Sequence, residues 1–426
     1  MRCALPGESE NAGVGRSRIA RAFFTGVSLG VVCLAAGASG AGGREGDSRN
    51  DSATEIRLAS ASMDDLVVGA QARLDAGDAA GADALLRRAL RADLRDPRPA
   101  DLLREIYEGR GVRLPVDHDA VADAMAQLGR GAWTSETEHF VIVSNADRVW
   151  TRDRAAMLER AYDEVHRFGA RAGVRMHPPE SRLVCVLVGH HDQYEALALK
   201  HDNVRATWVS GYYASGSNRV VFYDDSTGPA FAAARVRVEE ARQRVAGGSR
   251  DARIAVEAED DRIADAASAA STAKTIHEAA HLVAYNCGLQ SRARQSPFWF
   301  TEGLATNFET PTGKGRLGPE SPVEFREAEF AGLIARGAVI PLNQFVGLLE
   351  APETDRTRAG EMYAQAYALF RYLARTERDA LGAFARDVLA EPPGETTPAR
   401  MRDLFSARFG SPDQVERRWL KFEGVR

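Results

Sequence analysis

The hydrophobic pattern changes period along the chain. From Met63 to Gly109 apolar residues recur at helical spacing: Leu66, Ala70 and Leu74, then Ala82, Leu85, Leu86, Ala89 and Leu90. Gly77-Asp78 interrupts the series, and Pro97 and Pro99 end it. From Trp133 the period shortens. The stretch from His139 to Ser144 (HFVIVS) reads as a strand, and Arg152 to Arg171 as a helix with Ala156, Leu158, Ala161, Val165 and Phe168 at helical spacing. Arg182 to Val188 (RLVCVLV) is apolar throughout and so belongs in the middle of a sheet. A helix follows around Asp192 to Leu199. Val209 to Tyr213 and Arg219 to Tyr223 then read as two strands joined by the turn-rich Ala214 to Asn218. Phe231 to Ala270 is rich in Ala, Arg, Glu and Asp and is broken only by Gly247-Gly248, which predicts an inserted helical excursion with a solvated surface. From Ser271 onward nearly everything reads as helix and loop.

These periods divide the chain into six parts. Residues 1–41 read as a secretory signal: Arg16, Arg18 and Arg21 precede the apolar run Ala22 to Ala36, and Ala36-Gly37-Ala38 and Ser39-Gly40-Ala41 offer small-x-small cleavage patterns. The run is shorter than the roughly 20 residues a membrane span needs. The expectation is a secreted or periplasmic protein, with an uncleaved N-terminal membrane anchor as the alternative. Residues 42–60 are a Gly/Ser/Asp-rich linker. Residues 61–130 are helical, and the layout around Gly77-Asp78, Ala82, Leu86 and Ala89 resembles one tetratricopeptide-type hairpin. No second copy follows, so a cap is expected rather than a solenoid, with a protein partner on these helices left open. Residues 133–228 form an α/β layer, 229–270 the charged helical insertion and 271–426 a helical lobe.

Composition narrows the function. The chain has 426 residues, 44% of them hydrophobic and 27% charged, enough for more than one domain. A net charge of −5 without a long Lys/Arg patch argues against a nucleic-acid partner. Removal of the signal takes Cys3 and Cys33 with it. Cys185 and Cys287 are then no disulfide framework, although a bridge between them stays open. No phosphate-binding loop, dinucleotide glycine pattern or G-x-S-x-G is present. His190-His191 follows a strand with no carboxylate or Cys spacing around it, and reads as exposed loop histidine.

The chemistry concentrates at H-E-A-A-H-L-V-A-Y-N-C-G, His277 to Gly288. On a helix His277 and His281 project from one face, where both imidazoles can reach one zinc ion while Glu278 stands beside the remaining coordination position. Ile276, Ala280, Val283, Ala284 and Cys287 make the accompanying apolar stripe, and Gly288 supplies a stop. A catalytic zinc wants a third protein ligand. In metzincins the motif continues to a Gly and a His, whereas this chain has Ala284 and Cys287 there. No aspartate-supplying pattern follows the helix; a glutamate on a following helix is the remaining source, and Pro297 to Glu309 (PFWFTEGLATNFE) offers one in Glu302, with Thr306 and Glu309 on its helix face to orient it.

Trp299-Phe300-Thr301-Glu302-Gly303-Leu304-Ala305 resembles the W-x-x-E-G-[FLM]-A segment of gluzincins, where the glutamate is the third zinc ligand. Together with H-E-A-A-H-x-x-A-x-N-x-G-L-Q, the segment is similar to a bacterial family of peptidase-MA-like domains, a domain-of-unknown-function family numbered 1570. The likeness runs more loosely over Gly211-Tyr212-Tyr213, Ile340-Pro341-Leu342 and Tyr363 to Tyr367 (YAQAY), about residues 133–420 in all. The resemblance implies His277, His281 and Glu302 as Zn²⁺ ligands, Glu278 as the base and Tyr363 as the oxyanion donor, with Tyr212 and Tyr213 as rivals. No G-x-M-E-N segment precedes the zinc helix, which puts an aminopeptidase in doubt and leaves substrate length open.

The expected fold is therefore α+β: a small α/β sheet layer packed on a mostly helical, thermolysin-like zinc lobe, with the N-terminal tetratricopeptide-like hairpin. The expected function is a secreted zinc metallopeptidase acting on peptide or protein substrates. Two alternatives stand beside it: a catalytically silent binding or structural module, and a zinc hydrolase of non-protein amides or cell-wall peptides.

Overall fold

A computed structural model describes residues 30–34 and 61–425, except positions 94, 206, 207, 353 and 395. The linker at 42–60, and the signal segment other than 30–34, lie outside the described residues. Among those described, no helix is long and apolar enough to cross a membrane.

The molecule is mixed α/β and mostly helical. Its sheet contains β1 (Gly30–Leu34), β2 (Trp133–Glu136), β3 (Phe140–Ser144), β4 (Leu183–Val188), β5 (Val209–Ala214) and β6 (Arg219–Tyr223), in the order β1-β5-β6-β4-β3-β2. β4 runs parallel to β3 and β6 on its two sides, as its unbroken apolar sequence predicts. β5 and β6 form an antiparallel hairpin, β2 pairs antiparallel with β3, and the short β1 lies parallel to β5 at the edge.

Alternation along each strand sorts the side chains to two cores. Phe140, Ile142, Leu183, Cys185, Leu187, Val220 and Phe222 join the main core with α5 (Arg148–Arg171) and the second half of α8 (Arg250–Asn286). Val143, Val184, Val186, Val188 and Val221 face the other way, onto α4 (His118–Leu128) and α6 (His191–Asp202). The sheet is thus covered on both faces rather than one. Helix α4 falls inside the predicted N-terminal segment 61–130 but packs through Ala124 and Leu128 on the sheet. The separate N-terminal core consists of α1 (Met63–Asp75), α2 (Ala79–Ala92), α3 (Pro97–Arg104) and a π turn at Glu105–Gly109. Gly77 at φ 80° and the Asp78 cap on Gly81 N make the break between α1 and α2 that Gly77-Asp78 signals in the sequence.

The charged insertion is α7 (Pro229–Arg244) and the first half of α8, with a small core of Phe231, Ala234, Val238, Ile263, Ala267 and Ala270 between them. The predicted boundary at 270/271 is no break in the backbone. It is the point inside one 37-residue helix where exposure gives way to burial, from Ala270 to Ala284 without interruption. The rest is α9 (Phe298–Phe308), α10 (Glu324–Arg336), the short α11 (Leu342–Phe345), α12 (Arg356–Thr376), α13 (Arg378–Ala390), α14 (Pro398–Phe409) and α15 (Pro412–Phe422). Cys185 and Cys287 are buried and free, so the bridge left open by the sequence is not formed.

Candidate metal centre

Two helices meet at the site. The buried half of α8 carries His277, Glu278 and His281, and α9 carries Glu302. α9 crosses α12 at Gly303, where an added Cβ would stand 2.7 Å from the Ala366 carbonyl oxygen and 2.7 Å from Phe370 Cβ. Glycine beside the glutamate is therefore what lets α9 sit deep enough to present Glu302 to α8. β5 closes in from the sheet side. A Cβ on Gly211 would lie 3.0 Å from Glu278 Oε1 and 3.1 Å from Lys274 Cδ.

The donor atoms converge. His277 Nε2 and His281 Nε2 are 3.1 Å apart, and each is 3.3 Å from Glu302 Oε2. Three ligands about 2.0–2.2 Å from one centre at tetrahedral angles stand roughly 3.3 Å from one another, so this triangle has the dimensions of a zinc site. His277 and His281 are fully buried and Glu302 is 2% exposed. The burial penalises any arrangement in which these groups lack a partner. Among the described residues Glu302 Oε2, His281 Nδ1 and both oxygens of Glu278 make no hydrogen bond. The residues fit a divalent cation bound by three ligands, with the carboxylate of Glu278 free to act beside it.

Charge agrees with that reading. Burial pulls the His277 imidazole down, but the carboxylates of Glu302 and Glu309 outweigh it and hold the group at about 9. Burial pushes Glu302 up, and the two facing imidazoles more than reverse this, to about 2. Two carboxylates around one imidazole draw a positive charge to this point, whether a proton or a metal ion. His281 is lowered by burial, against the pull of Glu302, which favours the neutral form a ligand needs. Glu278 is pushed up to about 8 by burial, opposed chiefly by His277.

Beyond the triangle, His277 Nδ1 donates to Glu309 Oε1 at 2.8 Å. This fixes the ring with Nε2 toward the other ligands. Glu309 was expected to orient Glu302. It caps the end of α9 instead and turns to the histidine, while the Thr306 hydroxyl donates to the backbone carbonyl of Glu302 rather than to its carboxylate. Arg326 from α10 grips Glu309 with two nitrogens, Nε to Oε2 at 2.8 Å and Nη2 to Oε1 at 2.9 Å. One turn before Glu278, the buried Lys274 ammonium donates to Asp225 Oδ2 at 2.6 Å and to the Tyr223 carbonyl at 2.8 Å. Neither Arg326 nor Lys274 carries a local sequence signal, because their partners lie on other elements.

The tyrosines separate. Tyr363, on α12, places its ring 6.4 Å from that of His277 and 5.3 Å from that of Phe298. The Tyr212 hydroxyl donates to Asp202 and the Tyr213 hydroxyl to Asn218. Cys287 stays outside the ligand group, its thiol pushed up by burial, and α8 runs unbroken to Asn286 without the turn a metzincin needs. His190 is exposed as expected, but His191 is buried in the first turn of α6, beside Asp192 and Glu195. That helix-start cluster includes an exposed aspartate and is less enclosed than the triangle.

Residues 271–395 match a family described as a protein of unknown function, DUF1570. No curated protein and no solved structure matches the chain.

Proposed function

We propose that this protein is a zinc-dependent peptidase of gluzincin type, exported to the cell envelope by the leader in residues 1–41. The observation that carries the reading is the buried triangle of His277 Nε2, His281 Nε2 and Glu302 Oε2 at 3.1–3.3 Å, with the unpaired carboxylate of Glu278 beside it. On this reading α8, α9 and α12 form a thermolysin-like lobe, and the N-terminal helices are a tetratricopeptide-like cap.

His277, His281 and Glu302 would hold Zn²⁺. When bound, the ion supplies a water of near-neutral pKa and polarises the scissile carbonyl. Glu278 takes a proton from the attacking water and passes it to the leaving amine nitrogen. Its burial, which raises its affinity for a proton, makes it a stronger base than a surface carboxylate. Tyr363, whose ring centre lies 6.4 Å from that of His277, is the donor for the oxyanion. The substrates are peptides or protein segments.

Metal analysis of the purified protein tests the first half. Wild type is expected to hold one equivalent of zinc and His281→Ala to hold far less; wild type lacking stoichiometric zinc sinks the reading. Hydrolysis of a mixed peptide library tests the second half. Glu278→Gln is expected to keep the metal and lose cleavage by at least about 100-fold. Zinc bound by a wild type that cleaves no peptide would point instead to a binding module or a non-peptide amide substrate.

A further inference from the structure

Arg326 is fully enclosed, 1% exposed, on a helix that contributes no ligand to the triangle. A guanidinium in such a place needs every donor satisfied. Two of its nitrogens hold both oxygens of Glu309, and Nη1 reaches Glu329 Oε2 at 3.0 Å. Its carbon also lies 5.9 Å from the centre of the Tyr363 ring. One side chain thus touches the carboxylate that orients His277 and the ring of the proposed oxyanion donor.

We propose that Arg326 is a positioning residue for the metal site, acting on His277 through Glu309. The inference rests on His277 being a metal ligand. A carboxylate held by one hydrogen bond can swing about its last two torsions. Held by a two-pronged guanidinium it cannot, because both oxygens are fixed in the plane of the fork. Glu309 Oε1 then has one place for its contact with His277 Nδ1, and the imidazole is left with Nε2 directed at Glu302 and His281. Arg326 bonds to Glu309 and Glu329, so it acts on the triangle through Glu309.

The test uses the full chain with Arg326→Met, which keeps the apolar stem, and Arg326→Lys, which keeps the charge but loses the fork. Zinc affinity is measured by chelator competition, and the electronic spectrum of the cobalt-loaded protein reports ligand geometry. Zinc is expected to bind about 10–100-fold more weakly to Arg326→Met, with an intermediate value for Arg326→Lys and a shifted cobalt spectrum in both. A merely structural role would lower the melting temperature of the metal-free protein and leave affinity and spectrum unchanged; that result overturns the proposal. If Arg326→Met fails to fold, Arg326→Lys decides by the same readouts. If wild type itself binds no zinc, the metal reading falls. The relay is then judged by ¹⁵N NMR of the His277 ring in metal-free protein, where the Nδ1–H signature should be present in wild type and altered in Arg326→Lys. Identical ring signals in the two proteins overturn it.

Discussion

Residue by residue, the histidines outside the site make a prediction as definite as those within it. The His166 ring stacks on Tyr162 at 4.3 Å, and Tyr162 stacks on His139 at 3.7 Å. Burial, assisted by repulsion from any charge that neighbouring His177, His139 and Arg104 carry, pulls His166 from 6.5 down to about 3. Burial pulls His177 to about 4. Both are therefore neutral in the folded protein, while the unfolded chain takes up a proton on each below 6.5. Their burial costs nothing above that pH. Stability falls as pH drops from 6.5 toward 3 or 4, by roughly 1 kcal/mol per pH unit for each ring. His166→Phe keeps the stack and removes one titration. Thermal melts between pH 7 and 4 should show a shallower loss of stability in this variant; an unchanged slope refutes the assignment. That His277, His281 and Glu302 come together is legible in the sequence, because their spacing along α8 and α9 is itself chemical information. Glu309 was legible as a carboxylate near the site but not as the partner of His277, since the spacing of α9 says which face it leaves from and not which side chain it meets. Arg326 and Lys274 were invisible, because an Arg–Glu or Lys–Asp pair between elements leaves no mark on either local pattern.

Among the elements, the long helix α8 and the α9–α12 crossing decide where the ligands stand. The sequence separated α8 at Ala270 because composition changes there from charged to apolar. The backbone has no reason to break at that point: Ser271 and Thr275 satisfy their hydroxyls within the helix or against Asp225, and Thr272 bonds back to the Ser268 carbonyl. Alternation or an unbroken apolar run marks β3, β4 and β6 in the sequence. β2 carries no such mark, since its four residues (WTSE) offer only half-exposed alternation at the sheet edge. At the α9–α12 crossing the prediction is steric. Gly303→Ala forces a Cβ to within 2.7 Å of the Ala366 carbonyl and of Phe370 Cβ, a helix backbone and a core side chain that cannot easily retreat. α9 must move away, at a cost of about 1–3 kcal/mol. Because Glu302 is the adjacent residue, zinc affinity should fall together with melting temperature. Equal zinc affinity in a destabilised Gly303→Ala protein would show that the crossing supports the fold but not the ligand.

At the scale of the whole molecule, a buried arginine, Arg87, ties the N-terminal helices to the body. Arg87 of α2 is 5% exposed. It donates to the backbone oxygens of Pro178 and Pro179 at 2.5 and 2.7 Å and is held on its own helix by Asp83 at 3.1 Å. The surrounding bridges, Arg91 to Glu180 and Arg175 to Asp101, are exposed and weak by comparison. Removal of Arg87 takes the donor from the Pro179 oxygen and one of two donors from the Pro178 oxygen, which keeps His177 Nδ1, and from Asp83, which keeps the Tyr107 hydroxyl, a loss of roughly 1–3 kcal/mol. The loop that receives Arg87 is tied in turn to the end of α8, where His177 N donates to the Cys287 carbonyl at 3.0 Å. His281 lies more than a turn before that point, in a helix held by its own hydrogen bonds and by the main core on the side chains of Ala280, Val283 and Ala284. The two ends should therefore come apart in a defined order. Trypsin can cut the exposed linker at Arg110 and Arg113. After the cut, the N-terminal fragment of wild type should still elute with the body in gel filtration, whereas that of Arg87→Ala should elute separately, and the body should keep its zinc. Co-elution of both fragments in Arg87→Ala would mean that the exposed bridges hold the unit. Loss of zinc on separation would mean that the N-terminal helices brace α8 itself, through the His177–Cys287 contact, rather than only resting against the loop in front of it.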